Sequence, residues 1–187
     1  LADGNPTSIG QAAAFQGVGG LGKTQHACEY AYEYQSKYPK GVIWLQANQD
    51  MEAQLTELAV KAKWVSPQSE HQYKLDIAKR RLRTYPDCLI VFDNVDSLEQ
   101  IKDYLPENQA NPHILLTSRY PLRDFKLIPL DLLNAGQALQ MLEADRKPVD
   151  EKEREAMKYV AGKLAGLPLA LELAGAYVAH CQINWIK

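Results

Sequence analysis

The sequence predicts an α/β fold, with a five-stranded parallel sheet followed by a small helical subdomain. Short apolar runs alternate with amphipathic helical patterns up to about residue 130, which is typical of a parallel sheet covered by helices on both faces. From Asn134 onward only helical patterns follow. A length of 187 residues suits one domain with a helical appendage. We expect a domain over residues 1–131 and a helical subdomain over 132–187.

The five apolar runs are each bounded by turn residues or by polar side chains, as buried strands are. We expect strands at Ala12–Gln16, Val42–Leu45, Cys88–Phe92, His113–Thr117 and Lys126–Leu130. Residues 1–11 show no periodicity and are interpreted as an irregular lead-in.

Apolar residues at spacings of three and four predict the helices, and their ends carry the usual signals. One helix follows Thr24 and stops near Pro39, and a further amphipathic stretch begins at Ser97. Asp150 and Glu153 form a capping-box pattern, and Gly166 to Leu169 predicts a tight corner between two helices. The expected helices are Met51–Trp64, Tyr73–Tyr85, Asn134–Ala144, Asp150–Ala165 and one from Pro168 with an apolar face of Leu169, Leu173, Ala176 and Tyr177.

Composition excludes several classes of protein. The formal charge is −2 and 46% of the residues are hydrophobic, so we expect no direct binding of nucleic acid, and the basic cluster at Lys79–Arg83 is interpreted as a solvated surface. No apolar run approaches the roughly 20 residues that span a bilayer, and no signal peptide is visible, so we expect a cytoplasmic protein without membrane contact. The 3 cysteines and 4 histidines are scattered, which argues against a metal cluster or nucleophilic triad.

The most informative stretch fits the phosphate-binding pattern G-x-x-x-x-G-K-[ST] without a mismatch. Its glycines let backbone N–H groups face phosphate oxygens, while Lys23 reaches the β/γ oxygens and Thr24 can ligate Mg²⁺. The same glycines also satisfy the dinucleotide fingerprint G-x-G-x-x-G, which needs neither Lys23 nor Thr24. These two residues therefore favour a nucleoside triphosphate. The motif comprises Gly17, Val18, Gly19, Gly20, Leu21, Gly22, Lys23 and Thr24.

Asp93 ends the apolar run from Cys88 and matches a Walker B element. Ligands of open parallel sheets collect at the carboxyl ends of strands, so we expect Asp93 to face the Mg²⁺ held by Thr24. The alternative is that Asp93 only caps the next helix. Many hydrolysing enzymes have a carboxylate at the position of Asn94. The amide of Asn94 cannot remove a proton. Asp96 either substitutes for that base or begins a helix.

Arg119 follows the strand His113–Thr117 and offers a planar guanidinium at the same end of the sheet. It is a candidate sensor of the γ-phosphate. The alternative is a surface ion pair with a carboxylate.

The order of these motifs resembles the NB-ARC family of signal transduction ATPases with numerous domains, the STAND class of P-loop NTPases. The resemblance covers nearly the whole chain, and the letters GKTQ and DNVD are most similar to members that carry tetratricopeptide repeats. The motifs are Gly17 to Gln25, Val42 to Ala47, Leu89 to Asp96, Leu116 to Arg119 and Gly166 to Leu169.

The resemblance implies a three-layer P-loop fold with a helical subdomain and a switch that exchanges ADP for ATP before self-association. It also implies that Pro168 lies against adenine, that Asp93 handles Mg²⁺ and that Arg119 reads the γ-phosphate. Gln25 belongs to the matched loop motif. The family's upstream Gly-Arg-Glu segment and its winged-helix portion are not visible, so we expect a fragment or an abbreviated member, with sensor or effector domains outside this chain.

Three functions are compatible with these motifs. The leading hypothesis is a regulatory switch that binds ADP or ATP with Mg²⁺ and is at most a slow ATPase, with Lys23, Asp93, Asp96 and Arg119 as candidate catalytic residues. A phosphotransferase acting on a small acceptor is the alternative, although the tail around Arg146 and Arg154 does not resemble an arginine-bearing lid. The third is a scaffold whose nucleotide is never exchanged.

Overall fold

The computed structural model describes residues 12–106, 112–122 and 125–186, so the predicted lead-in at residues 1–11 lies outside the described residues. Contacts divide the chain into two compact units. Within the described ranges, the first comprises residues 12–17 and 23–129, and the second comprises residues 18–22 and 130–186.

The first unit is built on a parallel sheet with the strand order β2-β3-β4-β1-β5. Its strands are β1 (Ala12–Gln16), β2 (Val42–Gln46), β3 (Leu89–Val95), β4 (His113–Ser118) and β5 (Lys126–Pro129). Within the described ranges all strand pairs run parallel. The predicted α/β fold with five parallel strands is therefore confirmed.

Helices cover both faces of this sheet. The helices are α1 (Lys23–Glu33), α2 (Met51–Lys61) and α3 (His71–Thr84). Leu55 of α2 and Leu82 of α3 share one core with Ile90 and Phe92 of β3, whereas α1 contacts β3 and β4. Ala27 and Ala31 of α1 are buried. Side chains alternate between the two faces of a strand, so the apolar runs pack on both sides.

The predicted amphipathic stretch from Ser97 is not an α-helix. Two short 3₁₀ turns take its place, at Leu98–Gln100 and Lys102–Tyr104. Ser97 is the N-cap residue of the first turn, and Gln100 Oε1 accepts from the N–H groups of Asp96 and Ser97. A 3₁₀ helix has three residues per turn, so apolar residues at a spacing of three are compatible with a 3₁₀ helix as well as with an α-helix.

The second unit is helical from residue 135 to 180, with α4 (Ala135–Asp145), α5 (Glu151–Lys163) and α6 (Pro168–His180). Asn134 and Asp150 cap α4 and α5 through side-chain oxygens that accept from Gln137 N and Glu153 N. The core residues come from all three helices and include Ala138, Leu142, Met157, Ala161, Leu171 and Val178.

The predicted apolar face of α6 is not the buried one. Leu171 and Val178 point into the core of the second unit, whereas Leu173 and Tyr177 are 62% and 63% exposed. Helix α6 is apolar nearly all round, so spacing alone does not select its buried face. The remaining members of the predicted face, Leu169 and Ala176, are also exposed.

Candidate functional site

Lys23 is the first residue of α1 and is only 9% exposed. Its Nζ donates to the carbonyl oxygen of Gly17 at 2.7 Å. Burial lowers the pKa of the Lys23 ammonium, the positive charge of Arg119 lowers it further, and the Asp93 carboxylate opposes both effects. A partly desolvated ammonium beside a guanidinium is an arrangement that an anion would stabilise.

Thr24 and Asp93 are 69 residues apart in sequence and meet in the first unit. The Thr24 hydroxyl donates to Asp93 Oδ1 at 2.8 Å. Asp93 lies near the carboxyl end of β3 and is 1% exposed. The alternative that Asp93 caps a helix is wrong, because Ser97 caps the turn that follows.

Thr117 is a functional candidate that sequence reasoning missed. Strand β4 lies between β1 and β3 in the sheet, which brings its buried Thr117 against Asp93. The Thr117 hydroxyl donates to Asp93 Oδ1 at 2.5 Å and accepts from the backbone N–H of Asn94 at 2.9 Å. One hydroxyl therefore fixes both the carboxylate and the backbone that carries it.

Asn94 has a left-handed backbone, with φ at +60°. Asparagine tolerates this region better than most residues. Its Nδ2 donates to Gln46 Oε1 at 3.2 Å, and Gln46 Nε2 donates to Asp93 Oδ2 at 3.1 Å. Gln46 ends β2, so the carboxyl ends of β2, β3 and β4 each supply a side chain to this network.

The donor set of the first unit fits Mg²⁺. Thr24 and Asp93 supply a hydroxyl and a carboxylate oxygen, the hard ligands that Mg²⁺ prefers. Among the described residues, no cluster of three or more His, Cys, Asp or Glu side chains could hold a metal ion by itself. Mg²⁺ bound with a polyphosphate usually takes one or two protein ligands and completes its shell with phosphate oxygens and water.

The second unit holds the central part of the phosphate-loop motif, residues 18–22. Gly20 and Gly22 have φ values of +82° and +83°, which side chains rarely adopt. The Gly20 carbonyl accepts from the N–H of Leu169 at 3.1 Å. A Cβ at Gly20 would lie 3.2 Å from Leu169 Cβ. Pro168 occupies the first turn of α6, as predicted.

Other predicted site residues are less closely tied to this network. Arg119 is exposed, and its charge acts on the Lys23 ammonium. Asp96 is exposed beyond the end of β3, and no described contact joins it to Lys23, Thr24 or Asp93. Gln25 is exposed on α1. The roles of these three residues stay predictions.

No helix among the described residues combines the length and the apolar character needed to cross a membrane. No family model matches the sequence. The chain is 24% identical, over 93% of its length, to a nucleotide-binding leucine-rich repeat (NLR)-like protein of the fungus Hyaloscypha variabilis. It spans 20% of that protein.

Among solved structures, the chain is similar to a signal transduction ATPase with numerous domains (STAND) with a tetratricopeptide repeat sensor, from Pyrococcus horikoshii. The TM-score is 0.53 at 14% sequence identity, and the match covers 86% of this chain and 27% of the archaeal one. At this identity the match establishes the fold. The chain therefore has a P-loop α/β fold shared with a STAND protein, and the resemblance to STAND-class NTPases that its motifs predict is confirmed.

Proposed function

We propose that this chain binds ADP and ATP together with Mg²⁺ and serves as the nucleotide-dependent regulatory switch of a longer signalling protein. The observation that carries this proposal is the 2.8 Å hydrogen bond from Thr24 to Asp93. It joins the helix that follows the phosphate loop to the carboxylate that ends a buried strand. These are the two protein ligands that a Mg²⁺–polyphosphate complex needs.

The predicted binding residues have the following tasks in this proposal. The backbone N–H groups of residues 17–24 bind the phosphates, with Gln25 next to them, and Lys23 neutralises the β/γ oxygens. Thr24 and Asp93 would hold Mg²⁺, which supplies charge neutralisation when it is bound. Arg119 reads the γ-phosphate, and Pro168 lies against the adenine ring.

Hydrolysis is slow in this proposal because the residue directly after Asp93 is Asn94 and not a carboxylate. The Asn94 amide cannot accept a proton, and its Nδ2 is engaged by Gln46. Asp96, the other candidate, is exposed. We expect turnover far below the ~10 s⁻¹ typical of enzymes.

The chain spans about a fifth to a quarter of the proteins it matches, with coverage of 20% and 27%. We propose that sensor or effector domains lie outside it, as implied by the names of those relatives. Exchange of ADP for ATP would then permit self-association of the longer protein.

Nucleotide occupancy tests this function. The purified chain is analysed by mass spectrometry for co-purifying nucleotide, dialysed with excess Mg-ATP and analysed again, with phosphate release followed in parallel. We expect bound ADP or ATP that exchanges, with affinity in the micromolar range and slow phosphate release. Rapid release without a partner, or nucleotide that never exchanges, contradicts the switch.

A further inference from the structure

The side chain of Gln46 is aimed at the carboxylate proposed to hold the metal. Gln46 Nε2 donates to Asp93 Oδ2 at 3.1 Å, while its Oε1 accepts from Asn94 Nδ2 at 3.2 Å. The opposite oxygen, Asp93 Oδ1, faces the hydroxyls of Thr24 and Thr117. Gln46 thus occupies one side of the carboxylate and leaves the other to the residues that line the proposed Mg²⁺ position.

A second amide holds Gln46 in place. Gln54 of α2 accepts from the backbone N–H of Gln46 at 2.8 Å and donates to its carbonyl oxygen at 3.0 Å. Strand β2 lies at the edge of the sheet, and these two backbone groups point away from its neighbour β3. The next residue, Ala47, bonds β3 through its N–H, which donates to Asp93 O. The same Gln54 amide also donates to Asp50 O at 3.2 Å, which ties the contact to the start of α2.

We propose that Gln46 is a positioning residue for Mg²⁺, acting through Asp93, and that Gln54 fixes Gln46 for this task. The inference rests on the proposed nucleotide site and assigns part of its metal dependence to α2 and the end of β2. On Asp93 Oδ2, the 3.1 Å hydrogen bond from Gln46 is shorter than the 3.5 Å contact from Asn94 Nδ2, so Gln46 is the stronger donor to this oxygen. An amide that donates to a metal-binding carboxylate fixes its orientation.

In this proposal Gln46 contributes to the binding of Mg²⁺ and not to the metal-free binding of nucleotide. The phosphate loop and Lys23 can contact phosphates without a metal, whereas the Gln46 side chain bonds Asp93 and Asn94. Loss of Gln46 therefore weakens the metal contribution and leaves the metal-free affinity unchanged. Loss of a residue that merely supported the fold would lower the nucleotide affinity both with and without Mg²⁺.

The test replaces Gln46 by Met, which keeps the length and packing volume but removes the amide. Binding of a slowly hydrolysed ATP analogue is measured by calorimetry in EDTA and across a Mg²⁺ titration. The matched control is Gln72→Met, because Gln72 also donates to a carboxylate, Asp76 Oδ1 at 2.8 Å, on the exposed surface of α3. Gln54→Met is the second variant, and thermal melting checks that each protein folds.

For Gln46→Met we expect the Mg²⁺ concentration at half-maximal effect to rise by about 10-fold or more, with unchanged affinity in EDTA. Gln54→Met should shift it in the same direction by less, and Gln72→Met should not shift it. An unchanged Mg²⁺ midpoint in Gln46→Met, or an equal loss of affinity with and without Mg²⁺, overturns the inference while the proposed function stands. Failure of the unsubstituted chain to bind nucleotide overturns both.

Discussion

At the residue scale, the Asp93 carboxylate is the centre of the first unit's polar network. It is buried, and it accepts from Thr24, Thr117 and Gln46. Sequence patterns predicted Thr24, which belongs to a motif with fixed spacing, and Asp93, which ends a buried apolar run. They did not predict Thr117 or Gln46, because neither has a motif-defined role. Their contact with Asp93 follows from β2 and β4 both flanking β3, which a single sequence does not reveal.

We predict that Thr117→Val destabilises the protein by about 1–3 kcal/mol, because it leaves the buried Asp93 oxygen and the Asn94 N–H each short of a partner. Valine matches threonine in shape, so packing changes little. The measurement is the free energy of unfolding in urea.

The control for this variant is Thr84→Val, where the hydroxyl donates to Arg80 O on an exposed surface. Its effect should stay within about 0.5 kcal/mol. Equal losses in the two variants would show that the Thr117 hydroxyl has no special role in the network.

At the element scale, the corner between α5 and α6 depends on Gly166. Its φ is +72°, and an added Cβ would lie 2.1 Å from the carbonyl oxygen of Leu133. Leu133 N also donates to Gly166 O at 2.9 Å. The sequence predicted a glycine corner here, but not the close approach of Leu133, which comes from before α4.

We predict that Gly166→Ala costs at least about 2 kcal/mol of unfolding free energy, through backbone strain and the clash with Leu133. Gly162→Ala is the matched control, because an added Cβ there meets nothing within 4 Å. That variant should be neutral or stabilising by up to about 1 kcal/mol. A Gly166→Ala protein as stable as the control would contradict the strain.

Glu153 illustrates a different limit of sequence reasoning at this scale. The capping-box pattern predicted that its side chain returns to the start of α5. In the structure the carboxylate instead pairs with Arg146 and accepts from the N–H groups of Val149 and Trp185. Only the Asp150 half of the box is confirmed, because Arg146 and the N–H groups of Val149 and Trp185 occupy the Glu153 oxygens in place of Asp150 N.

We predict that this carboxylate makes the helical unit sensitive to acid. The Arg146 hydrogen bond first, then the Val149 N–H, lowers the pKa of Glu153 from 4.5 to about 2. The unfolded chain therefore binds more protons between these values, so the stabilisation is present above pH 4.5 and is lost as the pH falls toward 2.

Thermal melting across this pH range checks the prediction with Glu153→Gln. The melting temperature of this variant should be lower near neutral pH and should fall less on acidification. Glu151→Gln is the control, since Glu151 is exposed in the same turn and its ion pair with Lys158 is long, at 3.9 Å. Identical pH profiles for the two variants would rule out Glu153 as the acid-sensitive group.

At the scale of the whole molecule, the order of motifs predicted most of the architecture. Strand β1 leads into the glycine loop, α1 begins at Lys23 and β3 delivers Asp93, as the complete motif requires. The sequence could not predict which face of α6 is buried, because Leu173 and Tyr177 are as apolar as Leu171 and Val178. The chain spans 20% and 27% of the two proteins it matches.

The most direct test of the nucleotide site is calorimetric titration of Mg-ATP into the unsubstituted chain, Lys23→Ala and Lys61→Ala. Lys61 is the matched control, because it lies on the exposed surface of α2 and pairs with Glu57 at 2.6 Å. We predict micromolar binding to the unsubstituted chain and to Lys61→Ala, and none to Lys23→Ala. Retained affinity in Lys23→Ala would contradict the assignment of the loop as the nucleotide site.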